Sequence, residues 1–138
     1  MLPSPLPNKK RSTSEHDEQK KLIVFVSNEL QPRYPILRWL HAIPNGLTLH
    51  KSIATQMIYE GAKSGVCDLF LPVRSHNYSG LYIEMKSKTG KLSPNQKEFK
   101  SFVEGQGFKV VVPRSAREAL REIVLYCELP LAILDEMP

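Results

Sequence analysis

The residues with the chemistry to do work lie close together in the middle of the chain. Asp68 heads an apolar run, Leu69-Phe70-Leu71, and Glu84-Met85-Lys86 closes a second, Leu81-Tyr82-Ile83. Phosphodiester hydrolysis needs charge neutralised on the scissile phosphate and a nucleophilic water generated near neutral pH. Mg²⁺ or Mn²⁺ does both and takes hard oxygen ligands. Two carboxylates on neighbouring strands can hold such an ion, so Asp68 and Glu84 are candidate metal ligands if their strands pair.

Residues two apart on a strand share a face, which sends Glu84 and Lys86 into the same space. Glu84 would then bind metal, and Lys86 would orient the attacking water or stabilise charge developing on phosphate. Met85, between them, turns its side chain to the core and leaves its main-chain carbonyl to complete the metal shell. A bare Glu-x-Lys also describes a surface pair on the wet face of an antiparallel strand. The aspartate on the preceding strand and the basic loop that follows favour the chemical reading.

That loop belongs to a basic stretch. From Glu84 to Arg121 there are nine Lys or Arg against four Glu, and Lys88, Lys91, Lys97 and Lys100 fall just after the candidate site. A nucleic-acid backbone would run there, although a solvated charged face has the same composition. Lys9, Lys10 and Arg11, in the proline-rich 1–11 segment, read as a basic arm. His41 in an apolar stretch reads as a structural residue.

The elements that must position these groups follow from periodicity and punctuation. Ser12 to about Leu30 reads as a helix opened by a Ser12-x-x-Glu15 capping box, with Glu15, Gln19, Ile23, Val26 and Leu30 on one stripe. That stripe starts polar and ends apolar, as a helix does when its first turn faces an open site. Two prolines at 32 and 35 break it, and Ile36 to Ile43 reads as a buried strand before the turn Pro44-Asn45-Gly46. His50 to Lys63 reads as a second helix whose apolar face is Ile53, Met57, Ile58 and Ala62.

Asp68 to Val73 forms a short strand and Leu81 to Ser87 the clearest one, with Leu81, Ile83 and Met85 on one side and Tyr82, Glu84 and Lys86 on the other. Ser93, with Pro94 at the first helical position and Gln96 at the third, caps a further helix carrying Phe99, Phe102 and Val103 inward. Phe108 to Val112 is a last strand. Ser115-x-x-Glu118 caps a last helix with Ala119, Leu120, Ile123, Val124 and Cys127 inward. The order α–β–α–β–β–α–β–α implies a mixed α/β domain with a small central sheet.

Composition sets the outer bounds. The chain of 138 residues, 41% hydrophobic and 24% charged, fits one globular domain. The formal charge of +5 favours an anionic partner without naming one. Cys67 and Cys127 lie far apart with no metal-ligand spacing, so zinc and disulfide frameworks lack support. No apolar run reaches the roughly 20 residues that span a bilayer, and a soluble, reducing compartment is expected.

These motifs, in order, resemble the VRR-NUC family, a branch of the PD-(D/E)XK nuclease superfamily. The matching pieces are Ser14-Glu15 with Gln19, Ala42-Ile43-Pro44-Asn45-Gly46, Gly61-x-x-x-Gly65-Val66-Cys67-Asp68-Leu69, Glu84-Met85-Lys86 and Gly90-Lys91-Leu92-Ser93-Pro94-Asn95-Gln96. The resemblance implies a restriction-endonuclease-like core, a small mixed central sheet flanked by helices. The nuclease domain is read over residues 12–130, and the short apolar 131–138 as a tail that packs on the domain or on a partner subunit. It implies Asp68, Glu84 and Lys86 as the catalytic trio, Glu15 as a helix carboxylate joining the metal site with Glu18 as its competitor, and Gln96 as a polar neighbour. Where the family commonly has proline before the aspartate, this chain has Cys67.

The resemblance also implies a Mg²⁺- or Mn²⁺-dependent endodeoxyribonuclease, homodimeric and acting on branched DNA such as four-way junctions. It places the protein in the cytoplasm of a bacterial or phage-infected cell, with no membrane partner. The alternatives on the same residues are a flap, nicking or restriction-like nuclease, and a DNA-binding accessory protein without catalysis.

Overall fold

The computed structural model describes residues 13–44 and 51–138. The 1–11 arm, the Ser12 cap, the Asn45-Gly46 turn and His50 lie outside the described residues.

Helix α1, Thr13–Phe25, continues into a single π-helical stretch, Val26–Leu30, in which the Gln31 N–H reaches back to the Val26 carbonyl at 2.8 Å. Leu22, Phe25, Val26 and Leu30 are its buried apolar residues, while Ile23 is only partly covered. The core stripe therefore runs one position to the side of the expected one in the middle of the helix, and rejoins it at Val26 and Leu30.

The strand expected over Ile36–Ile43 is corrected by the structure. Tyr34, restricted by the proline after it, stays out of the helical region at φ −130° and ψ 81°, and Pro35 seeds a 3₁₀ turn, Pro35–Trp39. Leu37 alone is buried there, with Ile36 47% and Trp39 56% exposed. Strand β1 is only His41–Ala42, and both residues are exposed. Helix α2, Lys51–Tyr59, is also narrower than expected: Ala54 and Ile58 are buried, Ile53 is exposed.

Strands β2 (Leu69–Leu71), β3 (Leu81–Ile83) and β4 (Lys109–Val111) join β1 in one sheet of order β1-β2-β3-β4. The first two pairings are antiparallel and β3–β4 is parallel, so the sheet is mixed. A parallel pair needs a crossover, and helix α3, Pro94–Gly105, supplies it. Ladder-like bonds continue past β3, with the Glu84 N–H on the Val111 carbonyl (3.0 Å) and the Lys86 N–H on that of Pro113 (3.1 Å).

Helix α4, Ala116–Tyr126, buries Ala119, Leu120, Ile123 and Val124 against α1 and the sheet, with Cys127 only partly covered. Burial pushes the Cys127 thiol up to about 11. Beyond α4, Leu131–Glu136 forms a 3₁₀ turn whose Ile133 and Leu134 enter the main core. The end of the chain thus packs on its own domain.

Two apolar clusters sandwich the sheet. The larger holds Leu69, Leu71, Leu81, Ile83 and Met85 with α1 and α4. The smaller gathers Cys67, Val103 and Val110 with Tyr82, Phe99 and Phe108 under α3. Cys67 fills a packing position there. Phe102, expected inward, is 65% exposed.

Candidate active site

The pairing of β2 with β3 fixes where the two carboxylates stand. Leu71 faces Leu81, Phe70 faces Tyr82 and Leu69 faces Ile83. The next step of that register sets Asp68 opposite Glu84. Opposed residues of an antiparallel pair share a face and stand about 5 Å apart at Cβ. Phe70 and Tyr82 show the geometry one repeat away, stacked with ring centroids at 4.4 Å.

All three residues of the motif are inside. Asp68 is 3%, Glu84 1% and Lys86 7% exposed, which rules out a pair on a wet strand face. The Asp68 Oδ2 accepts the Met85 N–H at 2.9 Å, and the Asp68 carbonyl accepts the Ile43 N–H at 2.8 Å. Met85 places its side chain in the main core, as the alternation demands. Burial, and after it the charge of Cys67, raises the Tyr82 phenol above its ordinary value. Tyr82 is thus a packing group at neutral pH.

Gln96 has two jobs. Its Oε1 accepts the Ser93 N–H at 2.9 Å, closing a capping box whose other half is the Gln96 N–H on Ser93 Oγ at 3.2 Å. Its amide nitrogen donates to Glu84 Oε1 at 3.1 Å. The cap sets the side chain so that the site carboxylate is gripped from the first turn of α3. Gly65, at φ +88°, makes the approach of α3 possible: a Cβ there would sit 2.5 Å from the Asn95 carbonyl oxygen.

Glu15 and Glu18 part company. Glu15 is 6% exposed and its Oε1 accepts the Ser87 N–H at 3.0 Å, one residue past Lys86. Glu18 Oε2 instead accepts the Ala116 N–H at 2.8 Å, at the start of α4. Glu15 is therefore the α1 carboxylate beside the motif. Gly90 lies between: a Cβ added to it would stand 3.4 Å from Lys86 Cδ and 3.5 Å from Glu15 Oε1.

Hard oxygen donors suit a divalent cation. Asp68 and Glu84 offer carboxylate oxygens in a buried space beside Lys86, and buried polar groups are held by partners. Among the described residues, no three His, Cys, Asp or Glu side chains come together as a metal-holding cluster. Two carboxylates suffice for Mg²⁺, which keeps several waters and draws on substrate phosphate for the rest of its shell.

Of the four expected phosphate contacts, Lys88, Lys91 and Lys97 are exposed. Lys100 is engaged along its own helix with both carboxylate oxygens of Glu104 at 3.1 Å, which leaves it the weakest candidate of the four. The sequence reading gave Arg114 no role. Its Nη1 donates to the Ser87 carbonyl at 2.7 Å and to that of Gly90. A contact between residues so distant in sequence leaves no periodic trace.

The site is thus carried by a restriction-endonuclease-like core: a mixed four-stranded sheet between helices, with the acid and Glu-x-Lys just beyond the ends of adjacent central strands. The VRR-NUC domain family model matches residues 17–117, and the chain belongs to that family of nucleases. A solved "VRR_NUC domain protein" shares the fold at TM-score 0.70 and 22% identity, over 87% of this chain and 93% of that one. No curated protein matches the chain. Among the described residues, no helix is long and apolar enough to cross a membrane.

Proposed function

We propose that the protein is a divalent-metal-dependent, structure-selective DNA endonuclease, acting as a homodimer on branched DNA such as four-way junctions. The observation that carries the hydrolytic reading is the burial of Asp68 opposite Glu84 with Lys86 on the same face. Asp68, Glu84 and the Met85 main-chain carbonyl would hold the ion. When bound, Mg²⁺ or Mn²⁺ supplies charge neutralisation on the scissile phosphate and a water acidic enough to attack near neutral pH.

The chain's own residues do the rest. The Met85 N–H fixes the Asp68 carboxylate and the Gln96 amide fixes that of Glu84. Lys86 orients the attacking water or stabilises charge developing on the phosphate oxygens. Glu15 closes the side of the site next to Lys86. Lys88, Lys91 and Lys97 neutralise backbone phosphates on either side of the cut. Support for the branched substrate and the dimer is the family resemblance, together with symmetry: two related sites can cut two symmetry-related strands.

The test is a substrate panel of four-way junctions, flaps, splayed arms and linear duplex at fixed salt, with Mg²⁺ or Mn²⁺ titrated into wild type, Asp68→Ala and Glu84→Ala. The expected result is junction cleavage by wild type alone. Equal cutting of linear duplex would leave a flap, nicking or restriction-like nuclease. DNA binding by wild type without cleavage at any metal concentration would make it an accessory factor. Cleavage that survives both substitutions would sink the metal site. A monomeric mass by light scattering would count against paired incision.

A further inference from the structure

The start of helix α4 is a junction through which distant parts of the site are tied together. Glu118 Oε2 accepts the Arg114 N–H at 2.5 Å while its own N–H is held by Ser115 Oγ at 3.1 Å. The main chain at Arg114, one residue before the Ser115 cap, is thus pinned to the first turn of the helix. Glu18 of α1 holds the Ala116 N–H. From this fixed base the Arg114 side chain, partly buried, crosses to the turn after β3.

That turn is short and tightly bonded. The Gly90 N–H points back to the Ser87 carbonyl at 3.2 Å and to Ser87 Oγ at 3.1 Å. Arg114 Nη1 donates to the carbonyls of both end residues, Ser87 and Gly90. On the inner side, the Ser87 N–H holds Glu15, and Gly90 lies against Lys86 Cδ and Glu15 Oε1. On the outer side the turn displays Lys88, with Lys91 directly after it.

We propose that Arg114 is a positioning residue: its guanidinium clamps the 87–90 turn closed, and through that turn it sets Glu15 and Lys86 against the carboxylate pair. The inference rests on the nuclease reading of the site. Both bonds come from one nitrogen, Nη1, whose two N–H groups are held in fixed directions by the guanidinium plane, whereas an ammonium turns freely on a flexible stem. Arg114 touches no reacting atom in this scheme. It acts because a buried lysine that shifts by a fraction of a bond length loses its aim.

Arg114→Lys and Arg114→Gln test it, with two readouts. The first is hydrogen exchange of the 85–92 segment in metal-free protein, which requires no cleavage. Exchange there is expected to rise at least tenfold in both variants, while strands β2 and β3 stay protected as a control for folding. The second is single-turnover cleavage with binding measured separately in Ca²⁺. A displacement on the order of 1 Å costs up to about a hundredfold, so the rate constant is expected to fall by roughly ten- to a hundredfold in both variants. DNA affinity and its salt slope are expected to hold within about twofold in Arg114→Lys.

Rate and exchange together discriminate. Unchanged exchange in 85–92 would overturn the clamp whatever the activity. Faster exchange with an unchanged rate would overturn the positioning role. A loss confined to affinity, restored by lysine, would make Arg114 a phosphate contact instead. If wild type cuts no nucleic acid the nuclease reading fails, and the exchange result still decides whether the clamp exists.

Discussion

The two faces of strand β3 and its extension share one backbone and differ sharply in what they carry. Leu81, Ile83 and Met85 point into the larger cluster, are at most 1% exposed and share it with apolar side chains of α1 and α4. Tyr82, Glu84 and Lys86 point the other way, from an aromatic stack to a carboxylate pair to an ammonium. The first face is stable because everything on it was removed from water. The second is covered by α3 and α1, and there burial encloses carboxylates and a lysine held by hydrogen bonds rather than apolar groups alone. A period of two in the sequence thus separates the residues that hold the fold from those that do its chemistry.

Paired substitutions on one strand are the sharpest way to break that contrast. Glu84→Gln is expected to lower cleavage by on the order of 10³. The denaturant midpoint in chelator should move much less than for a core truncation, because the side-chain volume is kept. Ile83→Ala should do the reverse, costing about 2–5 kcal/mol of stability with a near-normal rate per folded molecule. Chemical denaturation and single-turnover rates on the same preparations read both. A Glu84→Gln protein that unfolds as readily as Ile83→Ala would erase the distinction.

The close approach of α3 gives an intermediate effect. Gly65→Ala places a Cβ 2.5 Å from the Asn95 carbonyl at a left-handed φ of +88°, and strain of about 1–3 kcal/mol is expected. Gly105→Ala, with nothing within 4 Å of its Cβ, should be neutral or slightly stabilising, since alanine is the better helix former. Because Asn95 precedes Gln96, the Gly65 change should also slow cleavage. Midpoints for the two variants that coincide would show that α3 is not held by this contact.

The smallest effects concern the rim. Removing Lys91 is expected to weaken DNA binding evenly across sequences and reduce the log–log salt slope by about one. Removing Lys100, already engaged with Glu104, should leave the slope nearly unchanged. Binding titrations at several salt concentrations separate the two, and equal slopes would return Lys100 to the interface.

Much of this was legible in the chain itself. The alternation Leu81-Tyr82-Ile83-Glu84-Met85-Lys86 specified a strand and its two faces, because the pleat leaves no freedom about which side chains go together. Ser93-Pro94-Asn95-Gln96 and Ser115-x-x-Glu118 specified two helix starts, because a cap is a local bond between near neighbours. Their order along the chain gave the mixed α/β class. The errors fell where neither rule applies. Ile36 to Ile43 reads as a buried strand by composition, yet Pro35 initiates a 3₁₀ turn and only Leu37 finds the core. Phe102 has the spacing of an inward residue, and α3 is turned so that it faces out.

What only the tertiary structure decided was which long-range partners meet. That Glu15 reaches Ser87 while Glu18 reaches Ala116 turns on where α1 crosses the ends of β3 and α4. That Gln96 grips Glu84 turns on how near Gly65 lets α3 come. Arg114 meets Ser87 and Gly90 across more than twenty residues of chain. Periodicity and capping are fixed by bonds within a few residues and so are written in the sequence. Such distant contacts are set by the packing of whole elements, which no local pattern encodes.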